Sequence, residues 1–286
     1  MPEYNFYVLA YFDLLGQGEL LESLTDRFVF DCITGKKDEL IQKMKPTFDR
    51  VKQFRDHLRK VVGDINQPIP LPQELSGKIS VDAWKKLTRA KVDVEFMGDA
   101  ALLKVLITSD PNEAIPVVSI RDLMTGISMQ MLAFLGAGIP VRGAIELGWG
   151  THIEENSIYG TMLHRAFRLE KEAGYPRIVI GQNFINYIQP LATQPQKGVS
   201  NEVAPIIAKT AKEVLALIVE DDDGELILHY LRKELYSANE TLFNDCIPSA
   251  KKFIQLEIAR QRQSRDKKLM GSYCKLRRFF QKCNVW

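Results

Sequence analysis

The chain has no apolar run approaching the roughly 18 residues that a membrane-crossing helix needs, so no transmembrane segment is expected. Its first residues pass directly into the apolar stretch Tyr4 to Phe12, with neither a basic region nor a small-residue cleavage site. That argues against a secretory leader and makes a cytoplasmic protein the expectation. Cysteine is scarce: Cys32, Cys246, Cys274 and Cys283 form no C-x-x-C pair and have no histidine at zinc spacing. They read as free thiols rather than as a disulfide framework or a zinc site. There is no internal repeat and no low-complexity segment.

What is present is a chain of 286 residues, 45% apolar and 26% charged, long enough for one large domain or one domain with an appendage. The net charge of +2 hides an asymmetry. Residues 251–286 carry 11 Lys/Arg against 2 Asp/Glu, while residues 1–250 carry 27 against 34. The basic tail could attract nucleic acid or anionic lipid. Its apolar stripe, Leu269, Tyr273, Leu276 and Phe280, instead favours a long helix from Ile247 packed on the acidic body. The chain divides on this reading into a body, 1–235, and a basic C-terminal helical extension, 236–286.

Along the body, Asn5 to Phe12 is nearly continuous in apolar and aromatic residues and reads as a buried central strand. Glu19 to Phe30 has helical spacing. So does Lys37 to Val62, where Pro46 is expected to kink or divide the helix. A stiff loop, Gln67 to Pro72, precedes a short helix at Val81 to Thr88. Val92 to Met97 and Ala100 to Ile107 read as a hairpin with Asp99 at its tip. A long apolar helix follows over 114–135, its methionines core fillers. Next comes a strand, Val141 to Leu147, ended by Gly148 and Gly150. Ser157 to Ala173 reads as a helix, Arg177 to Ile180 as a strand and Gln182 to Ile188 as another helix. Leu215 to Val219 and Glu225 to Leu231 flank the acidic cluster Glu220 to Asp223, which lacks calcium-loop spacing and reads as a hairpin turn. The order gives an α/β (α+β) sandwich, a mixed sheet flanked by helices.

Two stretches organise the rest. Tyr11-Phe12-Asp13-Leu14-Leu15-Gly16-Gln17-Gly18 and Phe96-Met97-Gly98-Asp99 each set an aspartate at the end of an apolar run beside glycine. The first strand and the hairpin, side by side, bring Asp13 and Asp99 to one point. Two carboxylates there can hold two divalent ions that clamp a triphosphate and lower the pKa of an attacking hydroxyl. The backbone of Leu14, Leu15, Gly16, Gln17 and Gly18 is placed to receive phosphates. The segment Gly160 to Leu169 supplies cations.

These strings, together with Pro140-Val141-Arg142-Gly143-Ala144-Ile145-Glu146-Leu147-Gly148 and Gly160-Thr-Met-Leu-His164-Arg-Ala166-Phe-Arg168-Leu169, resemble class III nucleotide cyclases in type and order over residues 5 to 180. The resemblance implies a ferredoxin-like mixed sheet. It makes Asp13 and Asp99 ligands of Mn²⁺ or Mg²⁺, with the Leu14 carbonyl an additional ligand. Arg168 becomes the donor that neutralises charge around the α-phosphate. Because such sites lie between antiparallel protomers, it implies a homodimer in which Arg168 comes from the partner chain.

Where the family usually has asparagine, four residues before the arginine, stands His164. The lysine that reads adenine is replaced by Glu95, and the second base-reading position is Ser157. Adenine specificity is therefore not expected. Tyr159-Gly160, Arg165 to Lys171 and Tyr175-Pro176-Arg177-Ile178-Val179 are similar to the pyrimidine cyclases of Pycsar antiphage systems. There a larger residue narrows the base pocket, as His164 and Phe167 would here. The resemblance implies conversion of CTP or UTP to a 3′,5′-cyclic monophosphate that activates a separate effector. Nucleic acid is not expected as the main ligand. A guanylate cyclase, motivated by Glu95, and a non-catalytic nucleotide-binding domain are the rivals.

Overall fold

From Asn5 to Phe12 there is no charged side chain, and this stretch lies at the centre of the sheet. A computed structural model of the protein describes residues 5–16, 35, 37–88, 90–107, 115–154, 157–194 and 199–286. In chain order they form β1 (Asn5–Leu14), α1 (Lys37–Ile65), α2 (Val81–Thr88), β2 (Val92–Met97), β3 (Ala100–Ile107) and α3 (Val117–Gly136). Then come β4 (Val141–Glu154), β5 (Ser157–Gly160), α4 (Thr161–Glu172), β6 (Ile178–Ile180), α5 (Gln182–Thr193) and α6 (Ala204–Leu215). The chain closes with β7 (Ile218–Glu220), β8 (Leu226–Leu228), α7 (Glu240–Ser264) and α8 (Lys267–Lys282).

The strands form one mixed sheet in the order β2-β3-β1-β4-β6-β8-β7, with β5 folded back on β4. β1 runs antiparallel to both β3 and β4, whereas β4 and β6 are parallel. Alternation along β1 divides its side chains between two cores. Val8, Ala10, Phe12 and Leu14 face the larger one, shared with Phe54 of α1 and the apolar helix α3, against which α6 and α7 also pack. Tyr7, Leu9 and Tyr11 face the smaller one, closed by Met162 and Ala166 of α4. Each fully buried Leu, Ile, Val or Phe in these cores is worth roughly 1.5–3 kcal/mol, which is why β1 tolerates no charge before Asp13.

Several expectations need correction. Pro46 does not divide α1, which runs through it; a proline cannot donate to the carbonyl four residues back, and the residue there, Gln42, is exposed to water. Gly148 and Gly150 do not end β4. They lie within it because α4 crosses closely there: a Cβ on Gly148 would sit 2.8 Å from the Met162 backbone nitrogen. Ser157 to Gly160 is strand rather than helix, paired back on Gly150 to Glu154. The strands at β7 and β8 are shorter than their apolar runs, and α6 precedes them with no expected counterpart. The tail is two helices rather than one. α7 ends at Arg265, in the left-handed region at φ 60°, and Asp266 caps α8 by accepting from the Leu269 N–H at 2.9 Å. The helix expected over Glu19 to Phe30 and the thiol Cys32 lie outside the described residues.

The acidic turn has a structural use. Arg177 is 1% exposed, and it donates to Asp221 at 2.5 Å and to both oxygens of Asp223 at 2.8 Å. Its Nε donates to the Ala173 carbonyl at 2.7 Å, capping the end of α4. The extension joins the same region: Lys282 donates to Asp222 at 3.1 Å, and the Ser272 hydroxyl donates to the Gly174 carbonyl at 2.6 Å.

Candidate active site

Strand register places the site. Asp13 is opposite Ala100 on one side and Arg142 on the other, so the Asp99 turn and Arg142 flank it at one end of the sheet. All of these positions share the α4 side of the sheet with Tyr11. Arg142 donates to the Asp13 carboxylate at 3.3 Å, and its Nε meets Glu170, the buried last-turn carboxylate of α4. Tyr11 closes the inner wall, with Phe167 edge-on against it at 4.5 Å between centroids.

The electrostatics are those of a half-buried cluster with an excess of carboxylates. Burial, then Glu170 and Asp99, push the Asp13 carboxyl up to about 6, and Arg142 offsets only part of this. The Tyr11 hydroxyl is pushed well above its usual range by burial and by Asp13, Glu170 and Asp99 in turn. Two acids, Asp13 and Glu170, share the Arg142 guanidinium, and Asp99 adds its charge to Asp13. Among the described residues no three Asp, Glu, His or Cys side chains form a closed metal cage. Asp13, Asp99 and the Leu14 carbonyl are all oxygen donors, the type that a hard divalent ion takes. Leu14 can offer only its backbone carbonyl, because its side chain is 3% exposed in the larger core.

The remaining sequence-derived residues divide by location. The Leu15 N–H donates to the Pro140 carbonyl at 2.9 Å, and Gly16 turns the chain at φ 81°. Gln17 and Gly18 lie outside the described residues. Glu95 lies on the same sheet face as Asp13, in an ion pair with Lys104, itself only 4% exposed. Ser157 begins β5, and Tyr159 in the same strand is 62% exposed. α4 is amphipathic: Met162, Ala166 and Glu170 face the sheet, while His164 and Arg168, one turn apart, are exposed. A single chain therefore brings Asp13, Asp99 and Phe167 together and turns His164 and Arg168 outward.

Sequence reasoning assigned no role to Arg142, Glu170 or Lys104. The signal for Lys104 is a lone charge inside the apolar strand Ala-Ala-Leu-Leu-Lys-Val-Leu-Ile. For Arg142 it is a charge two residues after the proline that opens β4.

The fold and site define a mixed α/β protein in which one end of the sheet carries a cluster with more carboxylates than cations. A scan against protein-family models finds no match, and a search of curated proteins finds none either. Among solved structures the chain is similar to the crystal structure of the adenylyl cyclase CyaB from P. aeruginosa. The identity is 11%, over 66% of this chain and 83% of that one, with a TM-score of 0.38. At that distance the likeness carries no argument, and the functional reading rests on the chain's own residues.

Proposed function

We propose that the protein is a class III-type nucleotide cyclase acting on CTP or UTP. The ribose 3′-oxygen bonds to the α-phosphorus as the bond from that phosphorus to the leaving pyrophosphate breaks, and the hydroxyl proton passes to water. The observation that carries this reading is the strand register that sets Asp13 beside Ala100 and so beside the Asp99 turn, with the Asp13 carboxyl raised by burial and then by Glu170 and Asp99. Asp13, Asp99 and the Leu14 carbonyl would hold Mn²⁺ or Mg²⁺, which when bound would acidify the 3′-hydroxyl and screen the triphosphate.

The chain's own residues supply positioning. Arg142 holds the Asp13 carboxylate and Glu170 in one network, tying β1 to α4. The outward direction of His164 and Arg168 supports a homodimer in which each protomer lends these groups to its partner's acids. A permanently charged, planar guanidinium there suits the spread charge of the transferring phosphoryl group. On this reading the cyclic nucleotide is a second messenger for a separate effector in antiphage defence. Among the described residues no helix is long and apolar enough to cross a membrane.

A second reading, a guanylate cyclase, is motivated by Glu95, whose pair with Lys104 is compatible with guanine as well as with uracil. An ionised carboxylate beside an ammonium complements a ring N–H next to a carbonyl, an edge shared by uracil and guanine. Purified protein with Mn²⁺ and each of ATP, GTP, CTP and UTP, its products identified by mass, separates the two. A cyclic pyrimidine nucleotide, absent with Asp99→Ala, supports the proposal. Cyclic GMP supports the second reading, and no product from any nucleotide refutes both.

A further inference from the structure

The ladder between β2 and β3 closes at the pair Met97 and Ala100, so the turn that presents Asp99 is only Gly98-Asp99. Gly98 sits at φ 60° with nothing within 4 Å of where a Cβ would be, so the tip has no packing of its own there. β2 is also an edge strand of the sheet. A carboxylate on such a tip would wander unless something outside the sheet held the turn.

α1 does so. Arg55 donates from Nη2 to the Gly98 carbonyl, and its guanidinium lies 5.3 Å from the centroid of the Phe96 ring. Arg59, one turn on, sits over the same ring at 4.8 Å but pairs with Asp56 at 3.1 Å instead of reaching the turn. The Arg55 Nε is buried and makes no hydrogen bond. Arg55 is thus aimed by an aromatic face and a turn carbonyl, a geometry that a planar fork provides and a flexible ammonium does not.

We propose that Arg55 is a positioning residue that fixes Asp99 by pinning the Gly98 carbonyl, so that both acids are preorganised before a cation arrives. The proposal rests on reading Asp99 as a divalent-cation ligand. It makes α1, which contributes no side chain to the acid cluster, a determinant of cation affinity.

Two measurements on the full chain test it. The first is the Mn²⁺ concentration giving half of the metal-induced rise in melting temperature. The second is amide hydrogen exchange across residues 97–100 without metal. Loss of a hydrogen bond from a charged donor predicts that Arg55→Ala raises the first about tenfold and speeds the second by a similar factor. Arg55→Lys should recover part of both. Arg59→Ala, which loses the same ring contact but no bond to the turn, should move neither more than about twofold. Equal effects from Arg55→Ala and Arg59→Ala would overturn the proposal, as would an Arg55→Ala protein that melts earlier with unchanged Mn²⁺ dependence. A wild-type protein with no Mn²⁺ response would refute the ligand reading of Asp99 and the proposal with it. The metal-free exchange rates would then show separately whether Arg55 pins the turn.

Discussion

Asp13→Asn should make the metal-free protein more stable while abolishing turnover. The Asp13 carboxyl titrates near 3.8 in the unfolded chain and near 6 in the folded one, raised by burial and by Glu170 and Asp99. Below about pH 3.8 both states hold the proton and the group is neutral towards stability. Between there and about pH 6 the unfolded state ionises first, so stability falls as pH rises; above pH 6 the full cost is present and constant. About two pKa units correspond to about 3 kcal/mol, which we halve to roughly 1–2 kcal/mol because the carboxylate remains partly open to water. For a chain of this size that is a rise in melting temperature of about 2–4 °C. The assay is urea or thermal unfolding of EDTA-treated wild type and Asp13→Asn at pH 4 and pH 7.5. The variant should gain at pH 7.5 and lose the advantage at pH 4. A variant less stable at pH 7.5, or a difference independent of pH, would refute the electrostatic account of the site.

Arg177→Met removes the buried cation that satisfies Asp221 and Asp223, and breaking such a pair from one side costs about 3–5 kcal/mol, measurable by urea unfolding. A loss under about 1 kcal/mol would mean that water replaces the guanidinium. Mixing Asp13→Ala with Arg168→Ala, each inactive alone, should restore about a quarter of wild-type activity in product assays, because half of randomly formed dimers keep one intact site. No recovery after subunit exchange would place both groups in the same chain's site.

The hairpin was legible to the residue, because Val92 to Met97 and Ala100 to Ile107 are apolar runs parted by a Gly-Asp turn. The closeness of Asp13 and Asp99 followed from it, since only strand adjacency was needed. Arg142 and Glu170 were in plain view but had no local signal: Arg142 meets Asp13 across 129 residues of sequence, through a register that no periodicity encodes. β4 was misjudged because its glycines read as terminators. Glycine inside a strand also marks the approach of another backbone, and here α4 is that backbone. The break between α7 and α8 was signalled by Asp266, a capping residue whose position inside a charged, helix-favouring run hid it.

β1 is laddered on both sides, and its two registers meet at Asp13. Side chains alternate between faces, so a one-residue deletion anywhere between Asn5 and Asp13 would rotate the carboxylate into the larger core and bring an apolar side chain to the cluster. Chemistry in this protein is therefore written in counting as much as in residue type. An allele that lengthens or shortens β1 by two residues keeps the facing and shifts the acid by about 7 Å, whereas one that changes it by one loses the acid entirely.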